Sequence, residues 1–293
     1  MIVTTLLTCL MMLVCGAPVT TPTVQRSDFT ERDEFNRTFQ LAPGSRVDVS
    51  SIRGPVEITT TDSATAEVQI IRTARTRADL EYHKIEVEQT SNGLVVRGVQ
   101  EPDHRQRQNI QVDHHVILKL PRRIDLAVSS VSGSLKIGDI DGQTTVHSIS
   151  GSGTIGNIGG KLEVSSISGN LEVGNVGGDV RVKSISGNLG LGQVNGSFDV
   201  QSVSGGVHTT LLSLSPQGIH IRSVSGSIEI GFKSEVNADF NAESVSGEVY
   251  LNMPNVTREG NEKSSSNVRA RIGTGGTPIS ISSVSGNIRL TQS

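Results

Sequence analysis

The chain has no tryptophan, and its 293 residues include only two tyrosines and six phenylalanines. A core built on large aromatic side chains is therefore excluded, and small aliphatics must fill it. Cysteine is nearly absent too. Cys9 and Cys15 both fall within the first seventeen residues, so the rest of the chain can hold neither a disulfide framework nor a cysteine metal site. No excess of positive charge exists: 26 Lys and Arg against 29 Asp and Glu leave a net charge of −3. That excludes the basic stripe of a nucleic-acid binder and the polybasic face of a membrane-surface protein.

Long hydrophobic runs are also missing. The longest, MIVTTLLTCLMMLVCGA at 1–17, is shorter than the ~20 residues that span a bilayer. It reads as a secretory signal, although no Lys or Arg precedes the apolar stretch. Cys15 offers a lipoprotein alternative, as the acylated residue, with Val14 where a small residue is usual. Residues 18–34 are polar, rich in Pro and Thr, and are expected to form a flexible leader. The expected location is extracytoplasmic (periplasmic, cell-surface or secreted), with contact to a membrane only through such a lipid anchor.

Glycine is what the chain has in abundance, 32 in all, and it is periodic. The tetrapeptide Ser-Val/Ile-Ser-Gly ends at Gly133, Gly151, Gly169, Gly187, Gly205, Gly226, Gly247 and Gly286, at intervals of 18, 18, 18, 18, 21, 21 and 39. A degenerate copy ends at Gly54. Counting from each glycine, positions −7, −5, −2, +2 and +4 are almost all aliphatic, as in Leu162, Val164, Ile167, Leu171 and Val173. A sixth apolar position at +7 holds Ile140, Ile158, Val176 and Val194. Spacing of two within each arm is strand alternation, and the β-branched residues suit strands. Between the arms lie glycines with Asn or Asp, residues that turn a chain at corners. Helical repeats are excluded, because each interior glycine would cost a helix about 1 kcal/mol.

A unit of eighteen residues cannot bury enough surface alone, so neighbouring units must stack and hydrogen-bond in register. The expectation is an all-β fold, a single-stranded parallel β-solenoid with coils of about 18–21 residues, over 35–293. Residues 35–125 would supply irregular N-terminal coils or a cap. Regular coils would follow over 126–293, carrying a polar loop at 252–277. Stacking would place the motif serines in two ladders beside the corner glycines: Ser130, Ser132, Gly133; Ser148, Ser150, Gly151; Ser166, Ser168, Gly169; Ser184, Ser186, Gly187; Ser202, Ser204, Gly205.

Candidate chemistry is sparse. Asp113, His114 and His115 adjoin, with Asp113 and His115 on one strand face, but two side chains are too few for zinc. Acidic residues do not recur at fixed turn positions, as a calcium repeat requires. No serine is paired with a placed base. The expectation is a non-enzyme with no metal and no cofactor.

The recurring S-x-[VI]-S-G-x-[LVI]-x-[VI] unit after a signal resembles a bacterial family, the β-strand-repeat "putative adhesin" proteins of unknown function, related to the head-GIN adhesin-like solenoids. PGSRVDVSSIRGPVEI (43–58) looks like that family's opening, and LPRRIDLAVSSVSGSLKIGDIDG (120–142) its entry into regular coils. The resemblance implies an extracytoplasmic, adhesin-like interaction protein of the cell envelope, with an envelope protein or glycan as partner. It supplies no catalytic residues. The outward charges Lys136, Glu163, Glu172, Arg181, Lys183 and Glu229 would set partner choice. Two other readings stay open: an accessory or sensor component of an envelope-stress response, and a polysaccharide-acting β-helix enzyme.

Overall fold

The computed structural model describes residues 29–100, 112–259 and 265–292. Within them the elements are short strands joined by turns, with one short helix, Arg77–Tyr82, capped by the Thr76 hydroxyl, which accepts from the Asp79 N–H. The strands form two sheets, of twelve and thirteen strands. Pairing in both is mainly parallel and follows the repeat. Thr144–Ser150 lies between its equivalents Leu126–Ser132 and Leu162–Ser168, each partner eighteen residues away, as Val146 opposite Val128 and Val164 shows. The short strands Leu135–Ile137, Gly153–Ile155 and Leu171–Val173 stack likewise in the second sheet. A third contact joins Ile140, Ile158, Val176 and Val194 by successive parallel bridges. One turn of this solenoid-like winding is thus a seven-residue strand, a glycine corner, a three-residue strand and a bridge.

Alternation places the aliphatic columns inside. Leu126, Val128, Leu135, Ile137 and Ile140, and their successors, form one continuous buried cluster running the length of the stack. Thr209, which breaks the +4 column, is also buried and donates its hydroxyl to the Gly192 carbonyl.

Three features depart from a stack of coils in chain order. Strand Ser45–Arg53 pairs directly with Ile124–Ser132, so the Gly54 copy sits against the Gly133 coil across some eighty intervening residues. The last coil is inserted: Thr277–Ser285 lies between Ile219–Ser225 and Ala238–Ser246, so Gly286 stacks between Gly226 and Gly247. Any coil bearing the motif fits any other, so sequence neighbours need not be stack neighbours. The N-terminal end, finally, is antiparallel. Glu31–Gln40 and Thr65–Ala74 extend one sheet, and His83–Thr90 covers an end of the other.

Glu31–Gln40 begins four residues before the boundary expected for the leader. Residues 1–28, with the signal, Cys15 and most of the leader, lie outside the described residues. The segment 252–277, read as a polar loop, contributes two strands, Val256–Glu259 and Asn267–Ile272, which pair antiparallel with each other and continue the sheet beyond Ala238–Ser246.

Candidate interaction surface

The corner glycines line up as the period requires. Gly133, Gly151, Gly169, Gly187 and Gly205 all have positive φ, between 136° and 153°. A Cβ on Gly151 would lie 2.4 Å from the Gly133 carbonyl oxygen, so both conformation and spacing demand glycine. The rungs are backbone bonds: the Gly133 N–H donates to the Ser150 carbonyl at 3.0 Å, and Gly151 to Ser168 at 2.9 Å. Gly169 donates to Ser186, and Gly187 to Ser204, each at 2.8 Å. Ser132, Ser150, Ser168, Ser186 and Ser204 are exposed. The side chains of Ser130, Ser148, Ser166, Ser184 and Ser202 lie outside the described residues.

A side-chain ladder does exist, at a position first read only as a turn. Asp139 Oδ1 accepts from the Asn157 N–H at 2.7 Å, Asn157 Oδ1 from the Asn175 N–H at 2.9 Å, and Asn175 Oδ1 from the Gln193 N–H at 2.9 Å. Asn170 and Asn188 begin a second such ladder, ending on Gly206. The signal was present in the sequence: an Asp or Asn recurring every eighteen residues after a glycine. Those glycines do not have positive φ, contrary to the corner role expected of them. Gly156 is needed because a Cβ there would lie 2.6 Å from Asp139 Oδ1 and 2.8 Å from the Gly138 carbonyl carbon.

Position −2 behaves differently at the two ends of the stack. Ile52, Val131, Ile149 and Ile167 are buried, as the column pattern predicts. Val224, Val284 and Val245 are not; their exposures are 58%, 52% and 82%. There the inward residue is the serine at −3, and Ser223, Ser283 and Ser244 are 5%, 4% and 6% exposed. In the last coils the alternation of inward and outward residues runs on through Ser223↔Ser283↔Ser244, which turns −2 outward. The expectation that −2 is a core column throughout is thereby corrected.

The outward charges pair mostly along the stack. Lys136 meets Glu57 at 3.0 Å, Arg181 meets Asp199 at 3.6 Å, and Glu229 meets His208 at 3.3 Å. Glu163 accepts from Lys161 at 3.1 Å, and that hydrogen bond holds its carboxyl below the ordinary value. Lys183 and Glu172 are exposed.

At the other end lies a polar cluster missed in the sequence. His114 shares the inward face of its strand with Val112 and Val116, and is buried, whereas Asp113 is exposed and His115 half-buried. It packs edge-on to buried His83 with ring centroids 6.1 Å apart, and its Nδ1 lies 3.0 Å from the Arg53 carbonyl oxygen. Burial lowers both imidazole pKa values. Beside them Arg72 donates to the carbonyls of Leu80 and His83 and pairs with Asp33. Among the described residues no three His, Cys, Asp or Glu converge to hold a metal ion.

A sequence profile described as Toastrack DUF4097 matches residues 45–291 of this chain. No protein of curated function matches it. Several solved structures are similar at low identity. One is a "putative cell adhesion protein" of Clostridium sporogenes, 14% identical, covering 90% of this chain and 100% of that one, with a TM-score of 0.26. Another is a "putative adhesin" of Parabacteroides distasonis, 14% identical over 88% and 97%, with a TM-score of 0.34. A "putative lipid binding protein" of the same species is 13% identical over 89% and 97%, with a TM-score of 0.30.

Proposed function

The chain belongs to the Toastrack DUF4097 family, and on that premise we propose that it is a non-enzymatic, extracytoplasmic, adhesin-like interaction protein of the cell envelope. Its β-solenoid, with coils of 18–21 residues, would act as a stiff post that presents a surface to an envelope protein or glycan. The observation that carries this reading is the row Val224, Val284, Val245. The same motif position is buried at Ile52, Val131, Ile149 and Ile167, yet here three stacked valines are 52–82% exposed. Leaving a valine out of the core forgoes about 1.5–3 kcal/mol, and an exposed apolar group gathered in one place marks a contact site.

Delivery beyond the cytoplasm is supported by the apolar segment at 1–17, with Cys15 as the residue to which a lipid would attach. The test is twofold. Fractionation with mass analysis of the N-terminus should find the protein outside the cytoplasm with the segment removed or Cys15 acylated. Purified protein should then bind isolated envelopes saturably and turn over no glycan. Cytoplasmic retention of an intact N-terminus, or absence of envelope binding, would refute the proposal.

A further inference from the structure

The last coil of the chain, 277–292, occupies a slot between two coils that precede it in sequence. Thr277–Ser285 pairs in parallel with Ile219–Ser225 on one side and Ala238–Ser246 on the other. Ile288–Gln292 is held in the same way between Ile228–Phe232 and Val249–Asn252. We propose that this slot also accepts the same coil from a second copy of the chain, so that two copies exchange their C-terminal coils and become linked.

Both walls of the slot are made before its occupant. A chain emerging N-terminus first has completed 219–232 and 238–252 while 277–292 is still missing. Each wall then offers unpaired backbone N–H and C=O groups, a template for another strand. Only residues 273–276 tie the coil to its own slot. Ile272 and Thr277 pair with Ala238 on its opposite sides, so this connection crosses two strand spacings, about 9.6 Å. Its turn needs glycine, with φ of +59° at Gly273 and +76° at Gly275. Thr274 and Gly276 donate their N–H groups to Asn237 Oδ1 at 2.9 Å and Asp239 Oδ2 at 3.1 Å. Straightening the connection loses those surface bonds, whereas every contact of the coil itself is remade in the partner. Exchange of identical elements is accordingly a low-cost route to a dimer.

The corner selects the occupant. In these coils the −3 serines are buried and pair as Ser223↔Ser283↔Ser244, with the −2 valines turned out. A regular coil buries its −2 residue, as at Val131 and Ile149, and meets that row out of phase. A single extended peptide fits one sheet only. The coil fills both, with Ile279 and Ile281 buried on one arm and Ile288 and Leu290 on the other. A second copy of 277–292 matches every rung. The tethered coil has an effective concentration on the order of millimolar, so exchange grows as copies fold closer together.

The experiment uses two full-length variants, both with Cys9 and Cys15 replaced by serine. One carries Glu229→Cys and the other Arg289→Cys, positions paired across the slot. They are unfolded in urea, mixed, refolded together over a wide range of concentration, and then oxidised mildly. A disulfide-linked dimer of unlike chains should form. At low conversion its share should rise about tenfold for each tenfold rise in concentration, as mass action requires. The same two variants mixed after separate refolding should stay unlinked, as should Glu229→Cys refolded with Tyr250→Cys. Deleting Thr274 and Gly275 leaves three links between Ile272 and Thr277, which reach about 10–11 Å at most and must still round the end of Ala238–Ser246. That deletion should raise the dimer's share by about tenfold or more, because the coil no longer reaches its own slot easily. Monomers alone at every concentration, a dimer without the 229–289 bond, or equal linking in the separately refolded mixture would overturn the proposal. Should the shortened chain fail to fold, the concentration series on the unshortened pair decides.

Discussion

Serine placed at Val131 and at Val245 makes the same chemical change at the same position of the same tetrapeptide, and the structure requires opposite outcomes. Val131 is 2% exposed. Removing it forfeits about 1.5–3 kcal/mol of burial, and the incoming hydroxyl, without a partner inside, adds about 1–3 kcal/mol. Val131→Ser should therefore destabilise its neighbourhood by about 3–5 kcal/mol. Val245 is 82% exposed, so little burial is lost and Val245→Ser should stay within about 0.5 kcal/mol. Stacked repeats need not unfold in one step, so the assay is amide hydrogen exchange read coil by coil, with urea titration for the whole chain. Faster exchange centred on 126–155 in the first variant, and none near 240–250 in the second, is expected. Equal losses in both would show that −2 is one uniform column and refute the inverted corner.

Gly169→Ala forces a non-glycine residue to φ +136° with its Cβ 2.4 Å from the Gly151 carbonyl oxygen. A loss of about 1–3 kcal/mol from backbone strain alone is expected in urea titration. Gly231→Ala, in ordinary strand geometry with its nearest neighbour at 3.5 Å, should be neutral or stabilising by up to about 1 kcal/mol. Asn157→Ala removes the acceptor of the Asn175 N–H and the donor to Asp139, which should cost about 0.5–1.5 kcal/mol in the same titration. The buried His83 and His114 take up protons less readily than they would in the unfolded chain. Their contribution is therefore intact above the ordinary value of 6.5 and is lost as pH falls below it. Thermal melts should show stability dropping on acidification past that value, with a shallower drop in His114→Leu.

The periodic part of the fold was legible because in-register stacking imposes the same demand on every coil. Val128, Val146 and Val164 must each fill one slot, and Gly133 through Gly205 must each pass one tight corner. The same sameness hides the rest. Nothing in Ser-Val-Ser-Gly at 223–226 distinguishes it from the copy at 130–133, yet one turns its valine out and the other turns it in. Nor does the motif say that Gly286 lies between Gly226 and Gly247, since each coil offers an equally good surface. Asn157 and Asn175 were visible as a period and misjudged in role, because turn propensity and side-chain laddering favour the same residues. His114 could have been found from its phase with Val112 and Val116. Its partner His83 could not, because an antiparallel end and a short helix bring it there.

The order of the last three coils tests the stacking account most directly, and paired cysteines read it. In a chain with Cys9 and Cys15 replaced by serine, Glu229→Cys with Arg289→Cys occupies adjacent paired positions, as does Tyr250→Cys with Arg289→Cys. Both pairs should form disulfides on mild oxidation. Glu229→Cys with Tyr250→Cys spans two strand spacings, about 9.6 Å, beyond the roughly 7 Å limit for a disulfide, and should stay reduced. Rapid bonding of that last pair, with none between 229 and 289, would mean that the coils stack in chain order and would contradict the structure.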